Sequence, residues 1–290
     1  MDTPTYDVIV IGAGPAGLTA ATEAARAGLK IFCLDKLAPG GALINLGELH
    51  DIDEASNGPD MASRMTDDAA VAGVELGFGE VTALSGSGPW AIETDFGEKH
   101  TARAIVVATG LNKGKLGLPN EDEYEGRGIS HCAHCDAPLF AGLPVIVAGA
   151  GGWADLEAKE LVGVASEITM IDAGPGDALA GVQRMEGRIV GLEGRNGLQS
   201  VTVETAGERK TIPTSAVFVY VGQSPAAEFL PDSLARDASG HIVADAGGRT
   251  SSPTVFAVGD VRAGARYCLS DAIADGQRAA QSVVSALKKS

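Results

Sequence analysis

The sequence has few cysteines, few aromatic residues and a deficit of basic residues. Among 290 residues there are 4 cysteines, aromatic residues make up 4%, and 22 Lys and Arg stand against 38 Asp and Glu, a formal net charge of −16. Four cysteines are too few for a disulfide framework. Because such an excess of negative charge repels nucleic acid and anionic lipid, we expect no nucleic-acid partner.

The sequence also offers little that can insert into a membrane. The N-terminal segment carries Asp2 in place of a basic region, and the apolar run Val8–Ile11 is far too short to span a bilayer. We therefore expect a cytoplasmic protein with no membrane partner.

Glycine and apolar residues are abundant instead. The chain contains 39 glycines, and 45% of its residues are hydrophobic, enough for substantial cores. Its length favours two domains, and the many glycines are typical of an α/β protein whose backbone approaches its ligands closely.

A glycine-rich turn near the N-terminus lies between a predicted strand and a predicted helix. The strand Tyr6–Ile11 leads into Gly12-Ala13-Gly14-Pro15-Ala16-Gly17, an alanine-rich helix follows, and the next strand ends at Asp35. Here glycines let the backbone approach a pyrophosphate, the helix N-terminus supplies N–H donors, and Asp35 can accept from a ribose hydroxyl. We interpret this segment as a dinucleotide site; a tight turn without a ligand is the alternative.

The same pattern returns in the middle of the chain. The strand Pro144–Ala148 precedes Gly149-Ala150-Gly151-Gly152-Trp153-Ala154, and the next strand ends at Asp172. Three features favour a degenerate nucleotide fold that no longer binds a nicotinamide. They are the bulk of Trp153 in the phosphate turn, the lack of Arg or Lys after Asp172, and the short segment before the strand at Ala216. Because Asp172 can still accept from an NAD ribose, the nicotinamide site stays open.

Two cysteines occur in the run Ser130-His131-Cys132-Ala133-His134-Cys135-Asp136. Cysteines at this spacing can close a small disulfide ring, and neighbouring carboxyl and imidazole groups can exchange protons with the thiolates that form when it opens. Buried thiols or half of a zinc site are the alternatives. A structural zinc site needs a second ligand pair, and Cys33 and Cys268 are isolated, so we predict redox chemistry and no metal.

Taken in chain order, these motifs resemble the low-molecular-weight thioredoxin reductase family of FAD-dependent disulfide oxidoreductases. The resemblance is carried by Gly12–Gly17, Gly40-Gly41, Ala108-Thr109-Gly110, Gly117-Leu118-Pro119, Gly126–Ser130, Cys132–Asp136, Gly149–Ala154 and Phe256–Val261. It implies a homodimer of α/β subunits with two Rossmann-like domains of three-layer ββα form. Residues 1–112 and 223–290 would form the FAD domain, and residues 113–222 a shortened, inserted NAD(P)H-like domain that carries the cysteines.

The resemblance also implies a set of cofactor-binding residues. Asp260 stands out because, after a buried strand, it can accept from a ribityl hydroxyl, although a helix cap or an Asx turn would suit it as well. The residues implied to bind FAD are Gly12, Gly14, Pro15, Ala16, Gly17, Asp35, Lys36, Gly41, Ala42, Leu43, Asn45, Val81, Ala108, Thr109, Gly110, Gly259, Asp260, Cys268 and Leu269.

The resemblance assigns roles around the cysteine pair. Cys135 would face the flavin, Cys132 would exchange with the substrate sulfur, and Asp136 would be the acid/base. His134 has the next claim to that role because an imidazole titrates near neutral pH; an exposed loop histidine is the alternative.

Two departures from the family pattern bear on function. The family's basic His-Arg-Arg run is replaced by Asp172-Ala173-Gly174, and its Arg-Gln pair before the last helix by Tyr267-Cys268, which brings Cys268 towards the flavin. We therefore expect FAD as cofactor and regard NAD(P)H as doubtful.

The leading hypothesis is a flavoenzyme that passes two electrons between FAD and a small dithiol/disulfide through Cys132 and Cys135, similar to the branch of the family that oxidises dithiols without NADPH. An NAD(P)H-dependent reductase of a thioredoxin-like protein, a reductase supplied by ferredoxin, and a flavin-bound redox sensor without turnover are the alternatives.

Overall fold

The computed structural model describes residues 5–46, 49, 57–171, 179–266 and 268–288, with the backbone alone at Gly152 and Trp153. Its strands are β1 (Tyr6–Ile11), β2 (Ile31–Asp35), β3 (Glu75–Phe78), β4 (Val81–Gly86), β5 (Trp90–Thr94), β6 (Lys99–Val107), β7 (Leu111–Asn112), β8 (Ile129–Ser130), β9 (Pro144–Ala148), β10 (Glu167–Ile171), β11 (Val182–Met185), β12 (Arg188–Glu193), β13 (Ser200–Thr205), β14 (Glu208–Pro213), β15 (Ala216–Val219), β16 (Ser224–Pro225) and β17 (Val255–Ala257). Its helices are α1 (Pro15–Arg26), α2 (Gly58–Val71), α3 (Ala133–Asp136), α4 (Gly152–Leu161) and α5 (Leu269–Leu287).

The chain divides into two compact units. The first unit comprises Met1–Asn112 and Ser224–Ser290, and the second comprises Lys113–Gln223. Gln223 thus lies in the second unit, one residue beyond the boundary expected from the sequence.

A seven-stranded sheet forms the centre of the first unit. Its order is β3-β2-β1-β6-β5-β4, with β17 also paired to β6, and β1 runs parallel to both β2 and β6. Side chains of β1 alternate between two apolar clusters: Val8 and Val10 join α1 and α5 on one face, whereas Ile9 and Ile11 join the other cluster. A parallel strand covered on both faces explains the continuous β-branched run.

The second unit has three layers. A parallel sheet of order β11-β10-β9-β15-β8 lies between helix α4 and an antiparallel sheet of order β12-β13-β14. Val145 and Val147 of β9 face the helix, and Ile146 and Ala148 face the antiparallel sheet. The predicted α/β class with Rossmann-like layers is confirmed.

The segment before β15 holds more structure than the sequence argument allowed. Four strands, β11 to β14, lie between β10 and β15. They fit because each needs only four to six residues. The short length of this segment therefore does not indicate a degenerate second fold.

The parallel pairing of β8, β9 and β15 decides what comes together in this unit. Ile129 and Ser130 of β8 pair with Val217 and Phe218 of β15, and β15 also pairs with β9. Because parallel strands end at the same edge, the segments that follow them, the cysteine run, the second glycine turn and Tyr220, meet at that edge. None of the helices that the structure describes is both long and apolar enough to cross a membrane.

Candidate functional site

The first glycine turn is built for close backbone packing around an open centre. A Cβ atom on Gly12 would lie 2.4 Å from the carbonyl oxygen of Ala108, and one on Gly17 would lie 1.9 Å from that of Gly12. Gly14, the N-cap of α1, has no atom within 4 Å of its Cβ position. The outer glycines are required by packing, and the middle one leaves room for a phosphate at the helix N-terminus.

Asp35 is held by the backbone at the end of β2. Its carboxylate accepts hydrogen bonds from the N–H groups of Ala13 (2.7 Å) and Leu37 (3.0 Å). A carboxylate offers about four acceptor positions, so the oriented group retains capacity for a ribose hydroxyl.

Asp260 is a partly buried carboxyl group. It lies in the turn Gly259–Val261, and no residue in the described part of the chain donates a hydrogen bond to it. Burial first, and the negative charge of Asp275 second, raise its pKa to about 6, against the influence of His241. A partly buried acceptor in this state fits a ligand that brings its own hydroxyl donor.

The other predicted cofactor residues of the first unit fall into two groups. One group surrounds the glycine turn: Gly41 would bring a Cβ within 3.0 Å of Gly14 Cα, and Gly259 one within 3.0 Å of the Ala16 Cβ. Members of the second group are engaged elsewhere. Lys36 Nζ pairs with Glu80 Oε1 at 3.2 Å, and the Val81 side chain is buried in the apolar core.

Further contacts connect the surrounding segments. Gly41, Ala42, Leu43 and Asn45 form a 3-10 turn, and Leu43 packs in a small cluster with Leu269. Ala108 N–H donates to Ile11 O at 2.8 Å, and the Thr109 hydroxyl donates to Ala226 O at 2.6 Å, just before Gly110. Cys268 is the N-cap residue of α5, with its Sγ 3.6 Å from Ser270 Oγ.

In the second unit, Cys132 and Cys135 form a disulfide at the start of the one-turn helix α3. Cys132 is buried and Cys135 is exposed. The backbone N–H of Cys135 donates to Cys132 Sγ at 3.0 Å. When the disulfide opens, this donor stabilises a thiolate on Cys132.

Asp136 is connected to the cysteine pair through Ser130. The Ser130 hydroxyl donates to Asp136 Oδ2 at 2.7 Å and accepts from the N–H of Cys132 at 3.2 Å. The structure thus brings a carboxylate beside the disulfide, where it can exchange protons with a thiol.

Two histidines flank the disulfide, each beside a carboxylate. His134 Nδ1 lies 3.3 Å from Glu160 Oε2. His131 Nε2 lies 3.0 Å from Glu125 Oε1, and its Nδ1 lies 3.3 Å from Val219 O. Both ring nitrogens of His131 therefore face oxygen acceptors. Within the described ranges, no three His, Cys, Asp or Glu residues are grouped as a metal site requires.

Buried Glu157 and partly buried Tyr220, which no sequence motif indicated, both contact the peptide between the two cysteines. Glu157 Oε2 accepts from the Tyr220 hydroxyl at 2.7 Å and from the N–H of Ala133 at 2.8 Å. Burial raises the pKa of Glu157, although these two hydrogen bonds oppose the shift. One signal was available: Glu157 shares the inward face of α4 with Ala154, Ala158 and Leu161.

The helix that follows the second glycine turn has an acidic residue in its first turn, whereas the helix after the first glycine turn has none. The first turn of α4 contains Asp155, whose Oδ1 lies 2.5 Å from Nη2 of Arg184 on β11. A helix N-terminus favours an anionic ligand, and here a carboxylate of the protein already occupies that position. The predictions on Asp172 and on the side chains of Trp153 and Tyr267 lie outside the described residues.

These two sites, a dinucleotide turn in one unit and a disulfide beside a carboxylate in the other, define a class of redox protein. Residues 6–289 match the family described as pyridine nucleotide-disulphide oxidoreductase, and the chain belongs to that family. It is an FAD-dependent disulfide oxidoreductase of the thioredoxin reductase type.

The relatives are similar over nearly the whole chain. The thioredoxin reductase of Listeria monocytogenes is 34% identical over 98% of this chain and 96% of its own length. Among solved structures, the Lactococcus lactis thioredoxin reductase (FR conformation) has a TM-score of 0.91, 32% identity, and coverage of 99% and 100%. The T. acidophilum thioredoxin reductase has a TM-score of 0.86, 30% identity, and coverage of 97% and 98%.

Proposed function

We propose that this protein passes two electrons between bound FAD and the disulfide of a thioredoxin-like protein, through Cys132 and Cys135. The observation that carries the proposal is the disulfide itself, with the Asp136 carboxylate fixed beside it by Ser130. The similarity to thioredoxin reductases over almost their full length supports the choice of partner.

The residues of the first unit fit FAD. The glycine turn at Gly14 and the N-terminus of α1 would hold its pyrophosphate, Asp35 a ribose hydroxyl, and Asp260 a ribityl hydroxyl. Bound there, FAD supplies the two-electron store that a dithiol and a disulfide exchange with.

The cysteines perform the sulfur chemistry. The Cys132 thiolate, stabilised by the Cys135 N–H, attacks one sulfur of the partner disulfide, and the other partner sulfur leaves with a proton from Asp136. The Asp136 carboxylate then takes the proton of the Cys135 thiol, and the resulting thiolate attacks Cys132 in the mixed disulfide. The Cys132–Cys135 bond re-forms, and the second partner sulfur leaves with that proton. The partner departs as a dithiol that carries the two electrons, and solvent returns a proton to Asp136.

NADPH is not the usual electron donor in this proposal. The run Asp172-Ala173-Gly174 has no cation for a 2′-phosphate, and Asp155 places a carboxylate at the N-terminus of α4. A donor of another class, such as a reduced electron-transfer protein or a dithiol, then reduces the flavin.

Anaerobic mixing tests the function. The purified holoenzyme is mixed with NADPH, NADH, dithiothreitol or a reduced thioredoxin, and the flavin absorbance is followed. We expect bleaching by the dithiols that is lost in Cys135→Ser, and none by NADPH. Rapid bleaching by NADPH would overturn the proposed donor, and bleaching by thiols in Cys135→Ser would overturn the electron path.

A small-dithiol oxidase is the second candidate. The observation that favours it is the pair of imidazoles beside the disulfide, His131 and His134, each near a carboxylate that can help to hold protons released from a dithiol. Stoichiometric oxygen uptake with dithiothreitol, together with no reduction of thioredoxin by any donor tried, would select this candidate.

A homodimer and a cytoplasmic location remain proposals from the resemblance. For a subunit of 29.4 kDa, light scattering of a dimer gives about twice that mass.

A further inference from the structure

A buried carboxyl group contacts the peptide between the two cysteines. Glu157 is 3% exposed, and its Oε2 lies 2.8 Å from the N–H of Ala133, the residue that follows Cys132. No step of the proposed sulfur chemistry uses it. A carboxylate in this place is costly to bury and needs an explanation.

Tyr220 completes the arrangement. Its hydroxyl donates to Glu157 Oε2 at 2.7 Å and accepts from the same Ala133 N–H at 2.9 Å. The peptide that connects the cysteines is therefore held by a carboxylate and a phenol from two other elements, α4 and the residue after β15. Two donors directed at one oxygen satisfy the ionised form of Glu157 in the disulfide state.

Opening the disulfide changes the balance of charge at this point. A thiolate forms on Cys132, next to the peptide that Glu157 contacts. Two negative charges in a buried setting repel each other. This repulsion is relieved when the Glu157 carboxylate takes up a proton. Burial already raises the pKa of Glu157.

We propose that Glu157 is a positioning residue that couples reduction of the Cys132–Cys135 disulfide to proton uptake, and so makes the cysteine pair harder to reduce and a stronger reductant. The inference rests on the proposed use of this disulfide. When a dithiol reduces the pair, the S–S bond breaks, the dithiol closes to its own disulfide and releases two protons. Cys135 takes one proton, Cys132 remains a thiolate, and Glu157 takes the second proton.

The groups that face this pair set its pH dependence. Tyr220 and Ala133 donate to the carboxylate, the charge of Glu160 raises its pKa, and the charge of His134 lowers it. The negative charge of Asp136 acts on Tyr220. Because the repulsion requires an ionised Glu157, its effect is largest at alkaline pH and declines as the pH falls.

The test is the redox equilibrium of the cysteine pair in the intact holoenzyme. Wild type, Glu157→Gln, Tyr220→Phe and Glu167→Gln are equilibrated anaerobically with defined ratios of reduced to oxidised dithiothreitol. Free thiols are then alkylated, and the reduced fraction of Cys132 and Cys135 is read by mass spectrometry. This readout needs neither turnover nor a protein partner, so it is independent of the proposed substrate.

In Glu157→Gln, an amide oxygen still accepts from Ala133 and Tyr220, but the charge is gone. We expect half-reduction at a dithiothreitol ratio roughly tenfold lower than in wild type at about pH 8, with the difference shrinking at about pH 5. The matched control Glu167→Gln removes the charge of an exposed glutamate at the start of β10 that does not act on the Glu157 carboxyl, and we expect a change below about twofold.

If Glu157→Gln does not fold, Tyr220→Phe provides the test of the coupling. It removes a donor to the carboxylate, favours the neutral form, and should lower the ratio in the same direction by a smaller factor. The proposal is overturned if Glu157→Gln leaves the ratio within twofold of wild type at about pH 8, if its effect is independent of pH, or, with only Tyr220→Phe in hand, if that ratio is unchanged.

Discussion

At the scale of the residue, the proposed chemistry depends on carboxyl groups in three different environments. Asp136 is partly exposed and hydrogen-bonded, Asp260 is partly buried and accepts no hydrogen bond from the described residues, and Glu157 is buried with two donors. The same functional group thus suits proton exchange with a thiol, acceptance from a ligand hydroxyl, and coupling of charge to the disulfide.

For Asp136, we expect Asp136→Asn to lower the rate of disulfide exchange by about 100-fold, because the leaving thiolate loses its proton donor. The measurement is single-turnover exchange between pre-reduced enzyme and an oxidised thioredoxin. Ser130→Ala, which removes only the orienting hydroxyl, is the control and should cost less. Equal rates in Asp136→Asn and wild type would assign the proton transfer to another group, with His134 the next to test.

For Asp260, the sign of the pH effect follows from a pKa raised from 3.8 to about 6. The folded, flavin-free protein favours the protonated acid, so its contribution to stability is fully present below about pH 4 and is lost as the pH rises through about 6. We expect Asp260→Asn to flatten this part of the stability curve of the apoprotein, measured by thermal unfolding from about pH 4 to pH 8. It should also weaken FAD binding. A pH profile that retains the wild-type slope would contradict the assignment of this raised pKa to Asp260.

At the scale of the element, the first glycine turn joins two opposite steric demands. Helix α1 starts at Pro15, whose fixed φ suits the first helical position, and it packs so closely on the turn that a side chain on Gly17 would meet the Gly12 carbonyl oxygen. A turn that is crowded at its ends and open at its centre positions backbone donors for a phosphate.

A matched pair of alanine variants separates these demands. Gly17→Ala places a methyl group against the Gly12 carbonyl and should destabilise the protein by about 1–3 kcal/mol or more, despite the better helix propensity of alanine. Gly14→Ala meets no protein atom, so its apoprotein should unfold like wild type while FAD binding weakens. Urea unfolding and flavin titration measure the two effects, and the reverse order of sensitivity would refute the assignment.

At the scale of the whole molecule, each unit has its own apolar cores. The clusters that contain β1 and β2 draw only on the first unit, and those that contain β9 and β15 draw only on the second. Each unit therefore has the buried surface that an independent folding unit requires.

We expect the excised segment Lys113–Gln223 to fold alone, with its disulfide intact and no bound flavin. Near-ultraviolet circular dichroism and a cooperative unfolding transition test folding, and thiol titration before and after reduction tests the disulfide. A fragment without cooperative unfolding would show that its cores depend on the first unit.

The sequence by itself determined those features that arise between chain neighbours. Gly12 to Gly17 lies between a β-branched strand and an alanine-rich helix, and Cys132 and Cys135 are close enough along the chain to form one disulfide ring. In both cases spacing and local conformation are sufficient to predict the geometry.

Only the tertiary structure decided the contacts between distant segments. Glu157 and Tyr220 reach Ala133 across 24 and 87 residues of chain, and Asp155 reaches Arg184 across 29. These pairs exist because β8, β9, β10, β11 and β15 lie in one parallel sheet. No local sequence pattern predicts the order of these strands. Strand order results from burying all the apolar faces together, which is why it emerges only in the folded chain.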